Sequence, residues 1–256
     1  MSLWAALLIA GLFGSVAASL RFGWLVGRRR MSDEGRDANE GLGTVDGAIF
    51  GLMGLLVAFT FTGAATRFEH RRDLIIEEVN AIGTAWLRLD LLPQAERDAS
   101  RELMRTYLDQ RIESYRRVTD TAATAAAIQR TQKLQSDLWA QLQSAIRAAP
   151  AVPIAQTVMP SFNDMFDIAS TRILATEQHP PMAIYALLMI LVLVSAFLAG
   201  FGQAKAARQS MLHLLGFAAT TTVALYLILD LEYPRLGLIR VDAFDQAMVD
   251  LREGMR

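Results

Sequence analysis

Cysteine is missing from this 256-residue chain. Its absence excludes disulfides, thiolate metal sites and cysteine nucleophiles, and it leaves the redox compartment open. Histidine is scarce, with only His70, His179 and His213, far apart in sequence. No HExxH pair, no glycine-rich phosphate loop leading to a lysine and no GxSxG elbow occurs. The chain therefore offers no catalytic constellation and no cofactor motif, and it does not read as an enzyme. Charge of one sign is lacking too. A net charge of -1 provides no basic footprint for nucleic acid. Asn163, Asp164 and Asp167 share one predicted helix, but no further ligands stand near them, so no metal site is assigned.

What the chain does have is apolar residues, 53% of the total, gathered into runs. The organising stretch is Asn39 to Pro93. Its first half, Thr44 to Thr66, is apolar or small apart from Asp46 and a few threonines. About 20 such residues cross a bilayer core of roughly 30 Å. Its second half, Arg67 to Leu92, is charged, and no proline interrupts the two. The expectation is one rod that starts in lipid and continues into water.

Small residues recur at helical spacing in the membrane half. Gly43, Gly47 and Gly51 make two GxxxG steps, and Ala58, Thr62 and Thr66 continue by fours. In lipid, packing drives helix association, so small residues mark where backbones approach. This face can pack on another helix of the same chain, meet copies of itself around an axis, or line a pore. In the aqueous half Glu77, Asn80, Thr84 and Arg88 share one face. They form either a buried hydrogen-bond network or a solvated row.

Other spans flank this rod. Leu3 to Leu20, extendable to Val26, is apolar and followed by Arg28, Arg29 and Arg30. A signal peptide carries its positive charge before the apolar run, so this reads as an uncleaved membrane helix, with Arg21 and Trp24 at the interface. Met31 to Gly43 reads as a short polar connection. Met182 to Gly202, almost without polar side chains, is the third span and the one expected to face lipid most. Ser210 to Leu229 is the fourth, with Thr220, Thr221 and Thr222 near its middle. Between the second and third spans, helices over about 94–120, 119–149 and 154–177 join the wet end of the rod in an antiparallel four-helix bundle. Asp230 and Glu232 stand at the exit of the fourth span, where carboxylates are costly in hydrocarbon. They can pair with Arg235, Arg240, Arg67, Arg71 or Arg72 as a clasp, or line a vestibule for cations. Residues 240–256 read as a short amphipathic helix.

Two blocks carry a resemblance. The first is Gly63-Ala64-Ala65-Thr66-Arg67-Phe68, then Arg71-Arg72, then Glu77-Glu78-Val79-Asn80-Ala81-Ile82-Gly83-Thr84-Ala85-Trp86-Leu87-Arg88-Leu89-Asp90-Leu91-Leu92-Pro93. The second is Leu229-Asp230-Leu231-Glu232-Tyr233-Pro234-Arg235-Leu236-Gly237-Leu238-Ile239-Arg240-Val241. Over roughly 39–93 and 180–245 the chain resembles the bacterial bestrophin-like family of small membrane proteins. That name implies a relation to pentameric anion channels, although the channels' acidic calcium-binding run is missing here.

The expected fold is all-α: an integral membrane protein with four transmembrane helices and a helical extramembrane bundle inserted between spans 2 and 3. The expected organisation is spans 1 and 2 over 1–66, bundle over 67–179, spans 3 and 4 over 180–232 and tail over 233–256. The expected function is an oligomeric channel in a bacterial plasma membrane. Gly47, Gly51, Ala58 and Thr62 would form its wall, Phe59 or Phe61 an apolar constriction, and Arg67, Arg71 and Arg72 an anion-attracting mouth. The alternative is a non-conducting membrane scaffold or sensor whose bundle binds a partner or ligand. Membrane lipid, further copies of the chain and an anion are the implied partners. The short loops hold Arg28, Arg29, Arg30, Arg36, Lys205 and Arg208, which places them in the cytoplasm and the bundle outside. The family resemblance favours the opposite orientation.

Overall fold

A computed structural model describes residues 3–34, 42–116, 121–148, 152–205, 211–234, 237–239 and 241–255. All regular structure among them is helical: α1 (Leu3–Glu34), α2 (Leu42–Arg88), α3 (Gln94–Arg116), α4 (Thr121–Ala148), α5 (Val152–Glu177), α6 (Met182–Gly202), α7 (Met211–Glu232) and α8 (Asp242–Gly254). Four of these, α1, α2, α6 and α7, contain stretches long and apolar enough to cross a membrane. The chain is thus a helical multi-pass membrane protein. α1 runs eight residues beyond Val26, so the first part of the expected polar connection is helix.

α2 has 47 residues, on the order of 70 Å at 1.5 Å each. It ends because Pro93 forces its predecessor out of the α region. Leu92 is extended at φ -81 and ψ 153, and a single 3-10 turn, Leu89–Leu91, closes the helix with Leu92 N donating to Leu89 O at 3.0 Å.

The chain divides into two compact units. The first comprises Met1–Phe68 and His179–Ile239. Its core holds Leu12, Val16 and Leu20 of α1, Leu188, Val192 and Ala196 of α6, and Leu214, Ala218, Leu225 and Ile228 of α7. α1 and α6 touch backbone to backbone. A Cβ on Gly23 would overlap the Phe197 carbonyl, one on Gly27 would press on Ala204 and Phe201, and one on Gly200 would overlap the Leu20 carbonyl. Ser19 Oγ donates across this seam to Leu193 O at 2.7 Å. α6 therefore buries Leu188, Val192, Ser195, Ala196 and Gly200. Within this chain the least covered span is α2. α2 reaches the core with one face, through Met53, Leu56, Val57 and Ala64. Thr60, also on that face, is buried and returns its hydroxyl to Leu56 O at 2.6 Å.

The second unit comprises Glu69–Gln178 and Arg240–Arg256. Ile82, Trp86 and Leu89 from α2 and its closing turn, Met104, Tyr107 and Leu108 from α3, Leu138 and Leu142 from α4, and Val158, Phe162 and Met165 from α5 form one core. Met248 of α8 enters it as well. Phe166 packs at its edge, and the Tyr107 and Phe162 rings meet it edge-on.

Candidate functional site

At the C-terminal end of α7 the chain makes a turn built on Asp230. Its carboxylate accepts from Leu238 N at 3.0 Å and from Ile239 N at 2.9 Å. Those N–H groups belong to no helix, and the buried carboxylate replaces their water. Gly237 lies under the same carboxylate, where a Cβ would collide with Asp230 Oδ1.

Two residues on, the Glu232 side chain is fully buried. Arg67 Nη2 donates to Glu232 Oε2 at 2.8 Å, and Arg67 Nε lies 3.0 and 3.1 Å from the two carboxylate oxygens. A planar guanidinium suits this two-pronged contact. His179 Nδ1 is 2.9 Å from Glu232 Oε1, and its ring stacks on Tyr233 with centroids 4.8 Å apart. An ionised carboxylate only accepts, so the proton of that bond sits on Nδ1. The expected pairing of Glu232 with an arginine of the first block thus falls on Arg67. Arg235 and Arg240, the other expected members, lie outside the described residues.

The remaining mouth arginines are also held by their own chain. Arg71 is buried and donates from Nε to Ala175 O at 3.1 Å and from Nη2 to Gln178 O at 3.0 Å. Arg72 lies over the Phe244 ring, 5.2 Å from its centre.

The expected polar row does not form a buried network. Glu77, Asn80 and Thr84 are exposed, and Arg88 Nη1 donates to Thr157 O at 3.1 Å. The buried network is centred one residue away, on Glu78. Arg111 Nε donates to Glu78 Oε1 at 2.6 Å, Arg172 Nη1 donates to Oε2 at 2.8 Å, and Arg172 Nη2 donates to Asp245 Oδ1 at 2.7 Å. Burial pushes the Glu78 carboxyl up, but the Arg111 and Arg172 guanidiniums overcome it and hold the group below its ordinary value. Burial pushes the neighbouring Tyr107 hydroxyl up to about 12, opposed by Arg111 and assisted by Glu78. A signal for this site was present in the sequence. Glu78 occupies the apolar stripe of Leu74, Ile75, Ile82 and Trp86, where a lone carboxylate requires cations.

Gly47, Gly51, Ala58, Phe59 and Thr62 are all exposed. Apart from the neighbouring residues and backbone of α2 itself, no part of the described chain comes within 4 Å of a Cβ built on Gly47 or Gly51. The small-residue face is turned away from the chain's own helices. Among the described residues no group of three histidines or carboxylates is placed to hold a metal ion.

A family model described as Bestrophin-like domain matches residues 3–243. No curated protein and no solved structure matches the chain. Both resemblance blocks, with the Asp230 turn and the Arg67–Glu232 pair inside them, fall within the matched span, and the chain belongs to the Bestrophin-like family.

Proposed function

We propose that this protein assembles around α2 as a homo-oligomeric ion channel, with the second unit forming an inserted helical bundle outside the bilayer. The observation that carries the proposal is the uncovered face of α2. Gly47, Gly51, Leu55, Ala58 and Thr62 are exposed along the apolar half. At the same helical register the charged half exposes Asp73, Ile76, Asn80, Thr84 and Leu87. Ile76 and Leu87 are the apolar members of that row, 44% and 68% exposed. One face left bare along both halves is what a second copy of α2 would cover. Phe59 or Phe61, both exposed, would supply an apolar constriction for an axis lined this way.

Family membership supports channel activity by analogy. An anion as the permeant partner rests on that analogy, because Arg67, Arg71 and Arg72 are engaged within the chain. The exposed arginines ending α1 favour the cytoplasm for the short loops and the outside for the bundle. A reporter fused after Ala149 reads that orientation.

The deciding experiment places single cysteines at Gly51 and Ala58 of this cysteine-free chain. Cross-links between subunits are expected. A monomer in mild detergent without cross-links removes the channel reading and leaves a non-conducting scaffold. Bilayer recordings of the purified oligomer then measure conduction and ion preference directly.

A further inference from the structure

We infer that the basic end of α1 is a binding site for the phosphodiester headgroup of an anionic lipid. Arg21, Trp24 and Arg28 fall on one face at steps of three and four. The Arg21 guanidinium lies 4.4 Å from the Trp24 ring centre and that of Arg28 5.0 Å, so one indole carries two cations. The two guanidiniums are therefore within about 10 Å of each other, close enough for one headgroup to meet both. Arg28 and Arg29 are exposed, and among the described residues neither has a carboxylate partner.

The second observation is the indole itself. Trp24 is 8% exposed, and its Nε1–H has no hydrogen-bond acceptor among the described residues. Tryptophan only donates, so this group asks for an acceptor. Indole N–H and guanidinium N–H groups together make a site of donors, whose complement is an anion rich in acceptor oxygens. Lipid is the source because the site sits at the end of an apolar span and is flanked by Phe22, 61% exposed, and Leu25, 41% exposed. Those side chains suit acyl chains beside a headgroup. The proposal stands independently of conduction.

Native mass spectrometry of the full chain in detergent tests it, with phosphatidylglycerol and phosphatidylcholine as probes. Wild type is expected to retain phosphatidylglycerol preferentially, and Arg28→Gln and Arg29→Gln are each expected to cut that preference roughly fivefold. Arg130→Gln with Arg147→Gln, exposed on α4, changes net charge as much as Arg28→Gln combined with Arg29→Gln and should leave the preference intact. Trp24→Phe, which keeps the ring and removes the donor, should lower retention while both arginines remain. Equal retention of the two lipids, or a preference that survives Arg28→Gln combined with Arg29→Gln, overturns the site. Displacement of the lipid by inorganic phosphate alone overturns the lipid assignment in favour of a free-anion site.

Discussion

The carboxylate of Asp230 occupies the space that a side chain on Gly237 would need. The two residues specify each other: the acid secures the turn by binding Leu238 N and Ile239 N, and the glycine makes room for it. Gly237→Ala is expected to push the carboxylate off those N–H groups and cost about 1–3 kcal/mol, the range for stranding buried polar groups. Asp230→Ala should cost a similar amount. The double variant should cost clearly less than the sum, because the clash disappears with the acid. Thermal unfolding of the four proteins in one detergent measures the cycle, and strict additivity would refute the coupling.

Glu232 depends on Arg67 in a comparable way but with more at stake, because the carboxylate is fully buried and the guanidinium is not. Arg67→Lys keeps the charge and loses the two-pronged geometry. A loss of roughly 1–2 kcal/mol is expected for it, near the value of a hydrogen bond to a charged group. Arg67→Met should cost more, since the fully buried carboxylate then loses its guanidinium altogether. Adding Glu232→Gln to Arg67→Met should recover part of the loss. The readout is again the unfolding midpoint in detergent, and a double variant worse than Arg67→Met contradicts the assignment.

Glu78 is expected to contribute to the acid stability of the second unit. Its carboxyl lies below its ordinary value of 4.5 in the fold, so the unfolded chain takes up the proton first as pH falls. The stabilisation it contributes is fully present above about pH 5, declines below the unfolded value and is lost once pH passes the lowered folded value. Glu78→Gln should remove this component and flatten the acid limb. It also leaves Arg111 and Arg172 without their shared anion, at a cost of about 3–5 kcal/mol near neutrality. Unfolding midpoints of the two proteins across pH 3 to 7 test both parts. Parallel curves would exclude Glu78 as the titrating group.

Much of this architecture is legible in the sequence, for identifiable reasons. Long apolar runs declare the spans, and the missing prolines between Leu42 and Leu92 declare the single α2 helix. An arginine partner for Glu232 is legible because the two resemblance blocks each carry opposite charges near a span end, but the sequence leaves Arg67, Arg71, Arg72, Arg235 and Arg240 open. The centre of the buried network is less so. Glu77 and Glu78 are adjacent and chemically alike, and only the phase of the apolar stripe decides which is buried. The α1–α6 seam was harder still. Gly23 and Gly27 repeat the GxxxG spacing of α2, yet Gly200 completes the contact from 173 residues away, and spacing alone does not say which small face finds a partner inside the chain.

That ambiguity yields a test separating fold from assembly. Gly200 has the Leu20 carbonyl where a Cβ would go, whereas Gly47 and Gly51 have open space. Gly200→Val should force α1 and α6 apart and destabilise the first unit by several kcal/mol, because backbone must move rather than a side chain. Gly51→Val and Gly47→Val should leave the unfolding of the single chain nearly unchanged. If α2 copies meet through this face, those same variants must weaken the oligomer, since valine holds apart helices that glycine lets touch. Cross-linking yield and oligomer mass, measured beside thermal stability, read the two effects independently. An oligomer unaffected by Gly47→Val and Gly51→Val together would place the subunit contact elsewhere on the chain and withdraw α2 from the axis.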